Sequence, residues 1–159
     1  HTLEQTILRD AFLQAQKGLA YSEYVSENDL ASRLGTNQTE ARSAMRILSE
    51  HGLARHALYT GGSSLSVLPL GVLLAWRALD PSGFQKAERE VALALPGPEA
   101  CLRLSGLVAQ VSLSPQLVSA LCTQWSNQGL LSLETYAGGE DGLIHQGSER
   151  IHRMYQQQG

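Results

Sequence analysis

Between Asn37 and Arg46 the chain reads NQTEARSAMR. Gln38, Thr39, Arg42, Ser43 and Arg46 fall there at i, i+1, i+4, i+5 and i+8, a spacing that lines side chains up along one side of a helix. Ala41, Met45 and Leu48 take the opposite side. The first group suits recognition chemistry. A guanidinium presents two parallel N–H groups to neighbouring acceptors, and a carboxamide presents a donor beside an acceptor. Those are the patterns that match guanine O6/N7 and adenine N6/N7 in the major groove. Arg42 and Gln38 are therefore expected at base edges, with Thr39 and Ser43 beside them. Arg46, one turn further on, is expected at a phosphate. Asn37 stands at the helix start with them. An ordinary solvated face, with Arg42 or Arg46 paired to Glu50 for a few tenths of a kcal/mol, fits the same residues. The surrounding elements decide which reading to prefer.

Those elements can be placed from caps and periodicity. Thr2 and Gln5 make a capping box for a first helix with the apolar stripe Leu3, Ile7, Leu8, Ala11 and Ala15, closed at Gly18. A short second helix starts at Ser26, carries Leu30, Ala31 and Leu34, and stops at Gly35. Asn37 caps the third, with Glu40 in the reciprocal position, and Gly52 ends it. The pattern then changes to strand, turn, strand: LARHALY, TGGS, SLSVL. Gly61-Gly62 supplies the positive φ angles of a tight turn. Pro69 opens a fourth helix, PLGVLLAWRALD, apolar nearly all round and so expected to be covered on two sides.

The same order recurs. The stretch from Asp29 and the stretch from Gly106 match at an offset of 106 − 29 = 77, without a gap. Leu30 falls on Leu107, Ser49 on Ser126, Gly52-Leu53 on Gly129-Leu130, Tyr59 on Tyr136 and Gly61-Gly62 on Gly138-Gly139. In the second copy FQKAEREVALAL is a helix with Phe84, Ala87, Val91 and Leu95 on one face, broken by Pro96-Gly97-Pro98. Ser105 to Val111 is the short helix, and Ser114-Pro115 caps the next, which Gly129 ends. LLSLETY, AGGED and GLIH make a hairpin, and a last helix runs from about Ser148. The expectation is a mainly α chain with small β-hairpins, an α+β fold of two winged-helix units in tandem, 1–79 and 80–159.

Helix, helix–turn–helix and β-hairpin make up the winged-helix arrangement, and a family resemblance supports it. TNQTEARSAMRILSEHGL (Thr36 to Leu53) resembles the recognition helix of the GntR family of bacterial regulators and, more loosely, of MarR-type regulators: a small polar residue, a cap, an Arg, an apolar pair, a second Arg and a closing GL. YVSENDLASRLG resembles the helix before it, and the likeness spans residues 2–68. It implies double-stranded DNA as partner, with Asn37, Gln38, Thr39, Arg42, Ser43 and Arg46 at the duplex. The hairpin would add Arg55 and Ser63, although a Gly/Ser-rich tip is equally explained by its own turn.

The second copy reads differently. From Leu104 to Leu133, thirty residues, no side chain is charged, and Gln116, Ser119, Thr123 and Asn127 stand where the first copy has Thr39, Arg42, Arg46 and Glu50. Its hairpin bears Glu134, Glu140 and Asp141. A helix without cations lacks the counterion-release term behind nonspecific DNA affinity. This unit is expected to serve as scaffold or oligomerisation surface, with a homodimer as one outcome, and Trp125 as core.

Charge divides along the same line. Residues 1–79 hold seven Lys/Arg and seven Asp/Glu, and residues 80–159 hold five and eight, so the net −3 lies in the second half. DNA binding by the first half is compatible with that balance, at modest affinity. No apolar run reaches the roughly 20 residues of a membrane span. No phosphate-binding glycine loop, nucleophile elbow or metal-spaced histidine pair occurs. Cys101 and Cys122 lie far apart, as free thiols of a reducing cytoplasm would. The chain opens on His1, which gives the expectation of a trimmed amino terminus. The expected function is therefore a cytoplasmic, cofactor-free, non-enzymatic DNA-binding protein working in transcription regulation, replication, plasmid maintenance or repair. The alternative is a protein–protein interaction module of a chromosome-maintenance or other assembly, similar to the acidic tandem winged-helix subunits that bind the kleisin of bacterial condensin.

Overall fold

The computed structural model describes residues 2–97, 101–135, 142–146 and 148–156. The fold is mixed α+β, and the chain divides into two compact units, His1–Leu79 and Asp80–Gly159. Unit 1 runs α1 (Leu3–Gln16), β1 (Val25–Ser26), α2 (Glu27–Leu34), α3 (Gln38–Glu50), β2 (Ala54–Tyr59), β3 (Gly62–Val67) and α4 (Pro69–Leu79). Unit 2 runs α5 (Pro81–Ala94), β4 (Leu102–Arg103), α6 (Leu104–Val108), α7 (Pro115–Asn127), β5 (Ser132–Thr135), β6 (Gly142–Gln146) and α8 (Ser148–Gln156). Among the described residues no helix is long and apolar enough to cross a membrane.

The offset of 77 extends through both units. Adding it to α3, 38–50, gives 115–127, the span of α7; adding it to β1, 25–26, gives 102–103, the span of β4. Each sheet is antiparallel with its central strand last in sequence, β1-β3-β2 and β4-β6-β5. The two-residue strands β1 and β4 were not expected. Val25 and Ser26 pair with Leu65 and Ser64, and a two-residue strand is too short to show any alternation in sequence.

Local chemistry sets the helix ends. Thr2 and Gln5 close both arms of the capping box on α1, and Ser26 Oγ accepts from the Asp29 amide at the start of α2. Gly35, at φ 65°, ends α2 in the left-handed conformation, where a Cβ would cost roughly 1–2 kcal/mol. On α3 Asn37 accepts from the Glu40 amide as expected, but the Glu40 carboxylate takes the Thr36 hydroxyl in place of the Asn37 amide. In the β2–β3 turn only Gly61 has positive φ, at 90°. Gly62 is instead the first residue of β3, paired with Tyr59. The corresponding turn of the second hairpin, Tyr136 to Asp141, lies outside the described residues.

Unit 1 packs α1 and α4 through a Phe12–Trp76 stack with ring centroids 5.8 Å apart. Beneath α3 lie Ala41, Ala44, Met45 and Leu48, all buried. Within unit 1, α4 buries Val72, Leu73 and Trp76 on one side and leaves Leu70, Leu74 and Leu79 on the other exposed. Unit 2 buries the anticipated stripe Phe84, Ala87, Val91 and Leu95. It also buries Trp125, which meets Tyr155 edge-on at 6.3 Å.

Candidate functional site

The amphipathic pattern of α3 turns Ala41, Met45 and Leu48 into the core and leaves Asn37, Gln38, Thr39, Arg42, Ser43 and Arg46 exposed on its outer side. Arg55 is exposed on β2. Seven of the eight residues singled out from the sequence therefore reach solvent. The eighth, Ser63, does not. Its residue is fully buried, and its hydroxyl points down to a carboxylate and, at 3.8 Å, to Met45 Sδ. A DNA contact by Ser63 is thereby corrected: side chains alternate across a strand, and position 63 faces inward.

That carboxylate belongs to Glu27, the first residue of α2, which is 1% exposed. It gathers donors from α3 and β3. Arg42 donates from Nε to Oε2 and from its NH2 group to Oε1, both at 2.6 Å. Gln38 Nε2 donates to Oε1 at 2.6 Å, and Ser63 Oγ donates to Oε2 at 2.9 Å. The hairpin closes over the group: a Cβ on Gly62 would stand 3.2 Å from Glu27 Oε1, so strand and carboxylate can approach because position 62 lacks a side chain.

This is an Arg–carboxylate fork in its strong, bidentate form. The bonds from Arg42 are the largest influence on Glu27 and hold its pKa well below the ordinary 4.5, at about 2, against the upward push of burial. Gln38 and Ser63 add to the lowering. Glu27 in turn raises Arg42. The two partners are unequally covered, since the Arg42 side chain is 53% exposed and that of Glu27 only 2%. Glu27 takes one edge of the guanidinium, Nε–H and one NH2 proton. Of the five guanidinium donors, three others remain. Arg46 is held far less firmly, its Nε 3.8 Å from Glu50 Oε1 with both side chains about two-thirds exposed, a geometry worth little net energy.

Helical period marks out the α3 face, whereas Glu27 has the local pattern of any acidic residue in a first helical turn. One signal was present. Under the offset of 77, position 27 falls on Leu104, which marks it as inward-facing. The second unit does not reproduce the cluster, because Arg42 falls on Ser119 and Gln38 on Pro115. Its α7 carries Gln116, Ser119 and Thr123 half-buried and no charge. Among the described residues, no three His, Cys, Asp or Glu side chains gather to hold a metal ion.

No protein-family model matches the chain, and no curated protein aligns with it. Among solved structures, a conserved hypothetical protein from Chlorobium tepidum is 18% identical, over 96% of this chain and 97% of that one, with a TM-score of 0.27. A likeness at that level carries no argument about fold or function.

Proposed function

We propose that unit 1 binds double-stranded DNA as a winged helix, with α3 in the major groove and Arg55 beside the backbone. Gln38, Thr39, Arg42 and Ser43 would read base edges, and Arg46 would meet a phosphate. The observation that carries this reading is the outer face of α3: a row of exposed donors in which one guanidinium is pre-set by a buried carboxylate. Loss of side-chain freedom is a cost of recognition, and here much of it is met before any duplex arrives. Unit 2, uncharged from Leu104 to Leu133, would act as scaffold or as the surface joining two copies. Regulation of transcription is the first role such a protein would fill, with replication, plasmid maintenance or repair as the others.

The test is titration of the whole chain onto a fluorescent mixed-sequence duplex at several salt concentrations. Binding that weakens linearly in log–log form supports the proposal. No binding at roughly 50 mM salt refutes it. One observation favours a second reading, in which both units hold protein partners. Pairing with Glu27 cancels the charge of Arg42, leaving α3 less cationic than its sequence suggests. Unchanged retention of a protein partner by Arg42→Ala and Arg46→Ala, with no duplex bound, would decide for it.

A further inference from the structure

Glu27 needs an explanation that stability does not supply. Burying a carboxylate costs several kcal/mol, and replacing a buried ion pair with apolar groups is often neutral or stabilising. The second unit has the same order of elements and carries Leu104 at the matching position. There an apolar, half-buried side chain takes the place of the carboxylate. The carboxylate is retained in the unit whose α3 bears arginines and is missing where α7 bears none.

The cluster changes what Arg42 can do. A solvated arginine next to DNA swings toward phosphates, where its full charge gains most. Held on its Nε/NH2 edge by Glu27, Arg42 cannot swing, and the pair as a whole is neutral. What is left is a planar edge of N–H donors fixed in direction. That edge matches the two acceptors of guanine, O6 and N7. The same anchor takes one amide proton of Gln38. The Gln38 carbonyl oxygen and second N–H remain, one turn before Arg42.

We infer that Glu27 is a positioning residue that makes unit 1 a reader of guanine, holding Arg42 to the base edge and away from the phosphates. The inference rests on the DNA-binding reading above and adds a base and a mechanism to it. A structural role for Glu27 would weaken every duplex alike. A positioning role moves selectivity and nonspecific affinity in opposite directions.

The experiment starts from a duplex selected by the whole chain out of a random pool, in which each guanine is then replaced in turn by 7-deazaguanine. The wild-type chain is expected to lose about tenfold in affinity at one guanine, the discrimination of one bidentate contact. Glu27→Leu, the residue its repeat partner carries, is expected to lose that sensitivity. It should also bind mixed duplex more tightly, with a log–log salt slope steeper by about 0.9 as Arg42 turns to a phosphate. Glu27→Gln should fall between the two. Arg42→Lys keeps a cation beside Glu27 but lacks a fork to be held on one edge and offered on the other, and should also abolish the 7-deazaguanine effect. Tenfold discrimination kept by Glu27→Leu or by Arg42→Lys overturns the inference. A wild-type chain that binds duplexes without sensitivity to any guanine N7 overturns it alone, and a wild-type chain that binds no duplex overturns it together with the DNA-binding reading.

Discussion

Removing either partner of the Glu27–Arg42 pair should have unequal consequences, and the inequality should depend on pH. Arg42→Ala leaves a buried carboxylate with only Gln38 and Ser63 as donors. Breaking a fully buried pair this way costs roughly 3–5 kcal/mol. Arg42 is about half exposed, so water can replace part of what it supplied, and a cost of about 2 kcal/mol is expected. Glu27→Leu removes the carboxylate itself. Gln38 and Arg42 turn to solvent, and the stranded Ser63 hydroxyl costs about 1–3 kcal/mol. Burial of the leucine returns a similar amount, about 1.5–3 kcal/mol. The net change is close to zero.

The pH behaviour follows from the direction of the Glu27 shift. Its folded pKa, about 2, lies below its ordinary value of 4.5, so the pair's stabilisation is fully present above 4.5 and is lost as pH falls toward 2. The deficit of Arg42→Ala should therefore be full at neutral pH and shrink through that window, as the carboxylate takes up a proton and its burial becomes cheap. Urea denaturation reports it, read by Trp76 fluorescence in a Trp125→Phe background so that unit 1 alone is observed. With slopes of about 1–3 kcal/mol per M, the Arg42→Ala midpoint should fall by about 1 M at pH 7 and by much less at pH 3. Equal losses for Arg42→Ala and Glu27→Leu at pH 7, or a deficit that does not change down to pH 3, would refute the argument that an unpaired buried carboxylate sets the cost.

Three further outcomes are expected. Arg46→Ala should change stability by no more than about 0.5 kcal/mol, yet flatten the log–log salt slope of duplex binding by about 0.9 without altering base preference. Gly71→Ala should destabilise unit 1 by about 1–3 kcal/mol, because its Cβ would sit 2.6 Å from the Leu53 carbonyl and 2.9 Å from Leu8 Cδ2; thermal unfolding measures it. In the native chain one thiol should react quickly with a disulfide reagent and the second only on unfolding, since Cys101 is exposed while burial pushes Cys122 up to about 12.

The sequence determined whatever depends on neighbours along the chain. The caps at Thr2, Ser26, Asn37 and Ser114 and the glycine stops at 35, 52 and 129 act within one turn. The repeat of 77 was legible because two copies keep the same punctuation. The outer face of α3 was legible too, since helical period alone separates Arg42 from Met45. Tertiary structure decided what that face holds. Glu27 stands 15 residues from Arg42 and 36 from Ser63, and no local rule connects them. Only when β3 folds back beside α2 and α3 does a residue that reads as a solvated first-turn acid become the buried anchor of an arginine. The same closure moves Ser63 from an expected wing contact to the interior. Two-residue strands such as β1 exist only through their partner, because hydrogen bonds across a sheet are made between segments and leave no period in either one.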